Sequence, residues 1–294
     1  MHTHDARDGM WAAGGAYVLW GLLPLYLKFV GFADPLEELA QRILWSLPFA
    51  ALAVIAFKAV RDTRAILQDR TSLAWLAASA ALISLNWGVY VWAVANNQVI
   101  EASLAYFLTP LVQIAFGVWF FKERLSPLQG VALAFAAAGV ALQAAALGAV
   151  PVVALVLCLS WSFYGLIRKR LAVPATGGLL IETAMLAPLA GVLLAFVAAG
   201  PIGVSFDNGP TEASLLAFTG LATAAPLMLF AFGARRLPFA AIGLLQFIAP
   251  TLQFLTALAF GEAFTVLRAL SFGLIWVGVA LFVLHLQRQA RLAG

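Results

Sequence analysis

Ten stretches of mostly apolar residues run almost end to end through the chain, separated by short polar breaks. They cover 10–31, 36–58, 73–94, 100–121, 127–147, 149–167, 177–199, 213–234, 239–260 and 264–286. The hydrocarbon core of a bilayer is about 30 Å thick, and an α-helix of about 20 residues crosses it. A helix satisfies all of its own backbone N–H and C=O groups, which lipid demands. The pattern predicts an all-α polytopic membrane protein with ten transmembrane helices. Composition points the same way: 64% of the residues are hydrophobic and 10% charged, whereas a soluble domain carries about 25% charge. The breaks hold turn formers, including Gly31 to Pro35, Asn96-Asn97, Ser126-Pro127, Gly148 to Pro151 and Gly261.

The charges are unevenly shared between the two sets of breaks. If the N-terminus is cytoplasmic, the inside breaks hold Arg7; Lys58, Arg61, Arg64 and Arg70; Lys122 and Arg124; Arg168, Lys169 and Arg170; Arg235 and Arg236; and Arg288 and Arg291. These are 14 of the 17 basic residues, and the outside breaks hold acids instead: Asp34, Asp207, Glu212 and Glu262. Cytoplasmic loops carry the excess of Lys and Arg, so both termini are expected inside a bacterial inner membrane, around an even number of spans. The net charge of +4 is explained by topology, and no basic module for nucleic acid accompanies it.

An internal repeat sits at an offset of about 140 residues. AYFLTPLVQIAFG around Tyr106 matches LQFIAPTLQFLTA around Gln246, pairing Pro110 with Pro250 and Gln113 with Gln253. GVAL at 139–142 matches GVAL at 278–281, Pro48 pairs with Pro188, and Tyr26 with Tyr164. The chain is therefore expected to comprise two five-helix repeats, 1–147 and 148–294. Five is odd, so the second repeat is inverted in the membrane, an architecture that transporters use to alternate access around a central site.

The fourth and ninth spans carry matched polar stripes at helical spacing: Ser103, Tyr106, Pro110, Gln113 and Gly117 in one, and Gly243, Gln246, Pro250, Gln253 and Ala257 in the other. Proline inside a helix removes a hydrogen bond and kinks it, so Pro110 and Pro250 are candidate gating kinks. Freed carbonyls in a membrane must face protein or a watery cavity. Amides in hydrocarbon must also find partners, which sends Asn86, one turn from Tyr90 and beside Trp87, towards the interior. Trp161 and Tyr164 extend the candidate substrate-binding set of Asn86, Trp87, Tyr90, Tyr106, Gln113, Trp161, Tyr164, Gln246 and Gln253. The other reading of these aromatics is packing or interfacial anchoring. Three charges near span ends have two readings each. Arg42 binds a carboxylate or holds helix-end carbonyls. Glu182 accepts a coupling proton or snorkels to the interface. Glu101 is a proton site or an acid favoured by a helix dipole.

No phosphate-binding loop, HExxH pair or nucleophile elbow is present. A cluster of midplane acids or histidines for an intramembrane enzyme is likewise absent from the sequence. No cofactor, metal or ATPase subunit is expected.

EASLAYFLTPLVQ at 101–113, FKERLSPLQGVAL at 121–133, ELAQRILWS at 38–46 and LSWSFYGLIRKR at 159–170 resemble the EamA-type transporters of the drug/metabolite transporter superfamily. Within it they are most similar to the RarD-like group, related to the aromatic amino-acid exporter YddG. The resemblance implies a ten-helix bundle around a central cavity lined by spans three, four, eight and nine. It implies export of amino acids or related metabolites, aromatic ones included, without a nucleotide-binding subunit. The alternative within the superfamily is efflux of drugs or other metabolites. The Glu101 position falls on Ala241 in the second repeat, so a role for that acid is not duplicated.

Overall fold

A computed structural model of the protein describes residues 3–96, 98–147, 150–201, 203–259 and 266–293. The elements are α1 (Thr3–Val30), α2 (Pro35–Ala56), α3 (Val60–Gln68), α4 (Arg70–Ala95), α5 (Val99–Phe121), α6 (Pro127–Leu147), α7 (Val152–Arg170), α8 (Ala175–Ala198), a 3-10 turn (Ser205–Asn208), α9 (Pro210–Ala234), α10 (Phe239–Leu245), α11 (Ile248–Ala259) and α12 (Val266–Ala293). Among the described residues nine segments are long and apolar enough to cross a membrane, and a shorter apolar helix covers 269–281 within α12. Each expected span thus has a helical counterpart, and the fold is that of an all-α polytopic membrane protein. Glu262, assigned by the sequence to a break, lies outside the described residues.

Two elements depart from the sequence reading. The first is α3, nine residues placed where the sequence suggested only a break. At 1.5 Å per residue it is far too short to cross a bilayer. Its Thr63 and Ile66 are buried; Ile66 packs with Leu76, Val173 and Ile181. The second is the ninth span, which divides at Gln246-Phe247 into α10 and α11. Pro250 has no N–H to offer the Gln246 carbonyl, and its ring crowds that carbonyl. Tighter bonds replace the regular ladder there: Phe247 N–H to Leu244 O and Ala249 N–H to Gln246 O, both 3.2 Å. Pro110, its repeat partner, lies inside an unbroken α5.

Helix starts are capped locally and from a distance. Asp34 accepts the Leu36 N–H at 2.8 Å and Pro35 takes the first helical position, a favoured combination. Asp69 accepts the N–H groups of Thr71 and Ser72; a hydrogen bond from the Ser72 side chain, followed by that from the Thr71 N–H, holds its carboxyl below the usual carboxylate range. Three glutamates cap other elements. Glu37 accepts from Ser205 and Phe206, both at 2.9 Å. Glu101 accepts from Val153 at 2.7 Å. Glu123 accepts from Phe239 and Ala240 at 2.6 and 2.9 Å. A carboxylate at a helix start satisfies orphan N–H groups and faces the positive end of the dipole. Each of these acids precedes residue 148, and each turn it caps follows it.

The packing has an internal correspondence. α6 packs on α12, α2 on α8, and α5 on α10; α4–α7 is answered by α1–α9, α5–α7 by α1–α11, and α2–α9 by α4–α8. The α6–α12 contact is reciprocal to the residue. A Cβ added at Gly139 would lie 2.6 Å from the Ser271 carbonyl oxygen, and one at Gly278 would lie 2.5 Å from that of Ala132. Gly278 follows Gly139 by 139 positions, as Ser271 follows Ala132. The two GVAL segments therefore make one close helix crossing from both sides. Only the absence of a side chain permits such an approach.

Candidate functional site

A cavity of about 420 Å³ opens among α1, α2, α4, α5, α7, α9 and α11, with Gln246 from the break before α11. That size falls within the range of small-molecule sites, about 300–1,000 Å³. Its wall on α1 comes from Tyr17 to Leu27 and on α2 from Pro35 to Arg42. Those segments flank the α1–α2 turn, at the face opposite the one where α1 begins. The α4 and α5 contributions, Asn86 to Val91 and Ala102 to Thr109, flank the α4–α5 turn at that same face. The chamber thus occupies the half of the bundle remote from the N-terminus.

Its polar groups are few and placed. At the rim, Arg42 donates to Glu38 one turn earlier, and the pair is partly exposed, with 16% and 23% of the two side chains accessible. Deeper, the Asn86 amide donates to Leu157 O at 2.8 Å and to Ser160 Oγ at 3.0 Å. The Tyr90 and Tyr106 side chains both line the cavity. Gln253 donates to Trp20 O at 3.2 Å, and Tyr17 donates a long bond to Gln246 at 3.4 Å. The Trp161 indole N–H, buried at the cavity wall, has no partner among the described residues. A buried donor left so is uncommon and calls for an acceptor.

The floor is aromatic. Trp161 sits edge-on to Trp20 at 5.1 Å and packs on Phe230 at 5.2 Å. Tyr164 stacks on Phe230 at 6.2 Å with 19° between planes. Tyr17, Tyr164 and Phe230 are all but inaccessible, and they plug the passage towards the N-terminal face.

Below the plug the bundle is closed. A Cβ at Gly243 would stand 2.7 Å from Pro110 O, and one at Gly117 would stand 3.0 Å from Ala240 N, so α5 and α10 touch backbone to backbone. Lys169 donates to the Ala234 and Leu237 carbonyls, Arg170 to Phe120 O, and Glu123 ties α5 to the start of α10. Arg168 and Glu182 form a buried ion pair at 3.6 Å. Ser79 donates to the same carboxylate, and Arg168 fills the space where a Gly178 side chain would stand.

Of the residues singled out from sequence, Asn86, Trp87, Tyr90, Tyr106, Trp161, Gln246 and Gln253 line the cavity, as does Arg42. Gln113 and Tyr164 do not. Gln113 is fully buried in the closed half, with both amide atoms unpartnered, and Tyr164 belongs to the plug. Pro110 and Pro250 are not among the residues that line the cavity. Glu101 caps α7, and Glu182 pairs with Arg168 instead of snorkelling. Of Ala257's side chain nothing is described. The sequence reading missed Glu38, Tyr17, Trp20, Thr109 and Thr223. Glu38 stands four residues before Arg42, the spacing of helical ion pairs, and that was the available signal.

These features define a class: a multi-pass helical membrane transporter, with a partly polar chamber open towards one face and sealed towards the other. The EamA-like transporter family matches residues 8–144. An uncharacterized transporter of Pseudomonas aeruginosa is 42% identical over 292 residues, spanning 99% of this chain and 98% of its own. Protein RarD of Escherichia coli is 37% identical over 97% of this chain and 96% of its own. The chloramphenicol-sensitive protein RarD of Pseudomonas aeruginosa is 34% identical over 93% of each. The chain belongs to the EamA-like transporter family, among its RarD-like members. A solved crystal structure shares the fold, with a TM-score of 0.72 at 22% identity over 94% of this chain and 96% of that one.

Proposed function

We propose that this protein exports amino acids, aromatic or large neutral ones foremost, across the bacterial inner membrane. The observation that carries this reading is the Glu38–Arg42 pair at the cavity rim. An amino acid presents one carboxylate and one ammonium. Arg42 meets the first with a planar fork of donors and Glu38 meets the second. The aromatic floor of Trp20 and Trp161, with Trp87 in the wall, suits a large side chain, which gains about 25 cal/mol per Å² of apolar area removed from water. Asn86, Tyr90, Tyr106, Gln246, Gln253 and the unpartnered Trp161 N–H supply hydrogen bonds.

With both termini cytoplasmic, as the distribution of basic residues favours, the chamber faces outward. Residues 1–147 and 148–294 act as inverted halves that exchange roles, so that the inward-facing state opens where α5 and α10 now touch. Pro110 and Pro250 shape the helices that move.

The test is uptake of radiolabelled Phe, Trp, Met and Leu into proteoliposomes, with and without a proton gradient. Saturable flux that falls at least tenfold in both Arg42→Gln and Glu38→Gln supports the reading, and the response to the gradient decides coupling. Amino-acid flux untouched by both substitutions would sink the assignment. A second reading, efflux of a different small molecule, is favoured by the mainly apolar wall. Chloramphenicol, which the name of one relative carries, is the probe for it; chloramphenicol flux without amino-acid flux selects that reading.

A further inference from the structure

A second recess lies away from the chamber, at the junction of α2 and α3. It is a shallow groove of about 500 Å³ walled by Ile55, Lys58, Val60, Arg61 and Arg64. We propose that it binds the headgroup of an anionic phospholipid, whose acyl chains run along α2.

Charge comes first. Three cations line one groove, and among the described residues no hydrogen bond or ion pair occupies the Lys58, Arg61 or Arg64 side chain. The basic residues nearer the bundle axis are committed: Lys169 to Ala234 and Leu237, Arg170 to Phe120, Arg235 to Val173 and Arg168 to Glu182. The acid nearest in sequence is Asp62. At 100° per residue it falls towards the side of α3 that carries Ile66, away from Arg61 and Arg64. Three unpaired cations lining one groove repel one another, and a phosphate between them removes that repulsion.

The surroundings separate a lipid from a soluble anion. Leu52 and Ile55, one turn apart on α2, are exposed at 60% and 65% and form an apolar track that ends where Ile55 lines the recess; Phe57, just past the helix, is exposed at 75%. Val60 and Leu67, on the same side of α3 as Arg64, are exposed as well. A soluble phosphate has no use for such a track, whereas acyl chains do. α3 is also fixed in place rather than dangling: Lys58 turns the chain with φ at 54°, Thr63 bonds back to Ala59 O at 2.8 Å, and a Cβ at Gly177 would stand 2.5 Å from the Thr63 hydroxyl. The lipid therefore rests against an element packed on α8, one of the helices that hold the buried Arg168–Glu182 pair.

Native mass spectrometry of the full-length protein with phosphatidylglycerol and phosphatidylethanolamine tests this. Each basic residue near an anionic membrane surface contributes about fivefold. Wild-type protein should keep phosphatidylglycerol adducts in preference to phosphatidylethanolamine, and Lys58→Gln/Arg61→Gln/Arg64→Gln should weaken that retention on the order of 100-fold. The charge-conserving Lys58→Arg/Arg61→Lys/Arg64→Lys protein should retain it, which guards against misfolding of the neutral variant. Equal retention in neutral and wild-type chains overturns the proposal. So does displacement of the lipid by inorganic phosphate at matched concentration, which would make the groove a site for soluble anions. The readout is lipid retention and does not depend on flux, so it stands or falls apart from the transport reading.

Discussion

Gln113 and Gln253 occupy matched places in the two polar stripes, yet their environments differ completely. Gln253 lines the chamber and donates to Trp20 O; Gln113 is fully buried with neither amide atom satisfied. An unsatisfied buried amide costs about 1–3 kcal/mol. Gln113→Leu should therefore raise the stability of this conformer by about that amount, read as a higher Tm in detergent. It should also slow flux, because in the opposite state the amide would reach the cavity. Gln253→Leu should lower flux with little change in Tm. If both substitutions move Tm and flux alike, the two glutamines are equivalent and the asymmetry carries no mechanism. Helical spacing made the stripe legible in the sequence because it reports which face a residue shares. It says nothing of depth, nor of which end of the bundle is shut, so Gln113 and Gln253 read alike. The indole of Trp161 was legible as one of two possibilities, cavity or packing, and it serves as both.

At the scale of elements, the spans were legible because lipid imposes a length and a composition that nothing soluble shares. α3 was not: VRDTRAILQ has the charge of a loop, and its helical form depends on Thr63 and Ile66 packing on neighbours distant in sequence. The break at Gln246-Phe247 was half legible. Pro250 announced a kink, but the parallel Pro110 leaves α5 whole. The capping glutamates were read locally or passed over, since a carboxylate that serves another helix leaves no short-range pattern. Glu123 binds α5 to the start of α10 at the sealed end. Glu123→Ala should cost about 0.5–2 kcal/mol, as loss of a helix cap does. It should also expose the α10 start. A cysteine introduced at Ala240 would then react faster with an impermeant maleimide added to the N-terminal face. The native thiol, Cys158, is buried and gives a low background. Unchanged labelling would mean that Glu123 caps α10 without holding the end shut.

At the scale of the whole molecule, the two ends of the chain's repeat meet in the crossing of α6 and α12, where Gly139 meets residue 271 and Gly278 meets residue 132. Overfilling a tight contact costs about 1–3 kcal/mol. Because the two glycines play the same part from opposite sides, Gly139→Ala and Gly278→Ala should lower Tm by similar amounts. Thermal unfolding of the two single variants checks this, and a large disparity would deny the equivalence of the halves. The pairing has a consequence for motion. When two halves trade places, most contacts turn into their counterparts, but a contact that is its own counterpart has nothing to turn into. On the proposed exchange of halves, the α6–α12 crossing serves as a fulcrum: the lever arms on either side of it are expected to swing while it keeps its shape. Spin labels astride it would give a ruler whose reading never changes, while labels across the chamber rim would record every stroke.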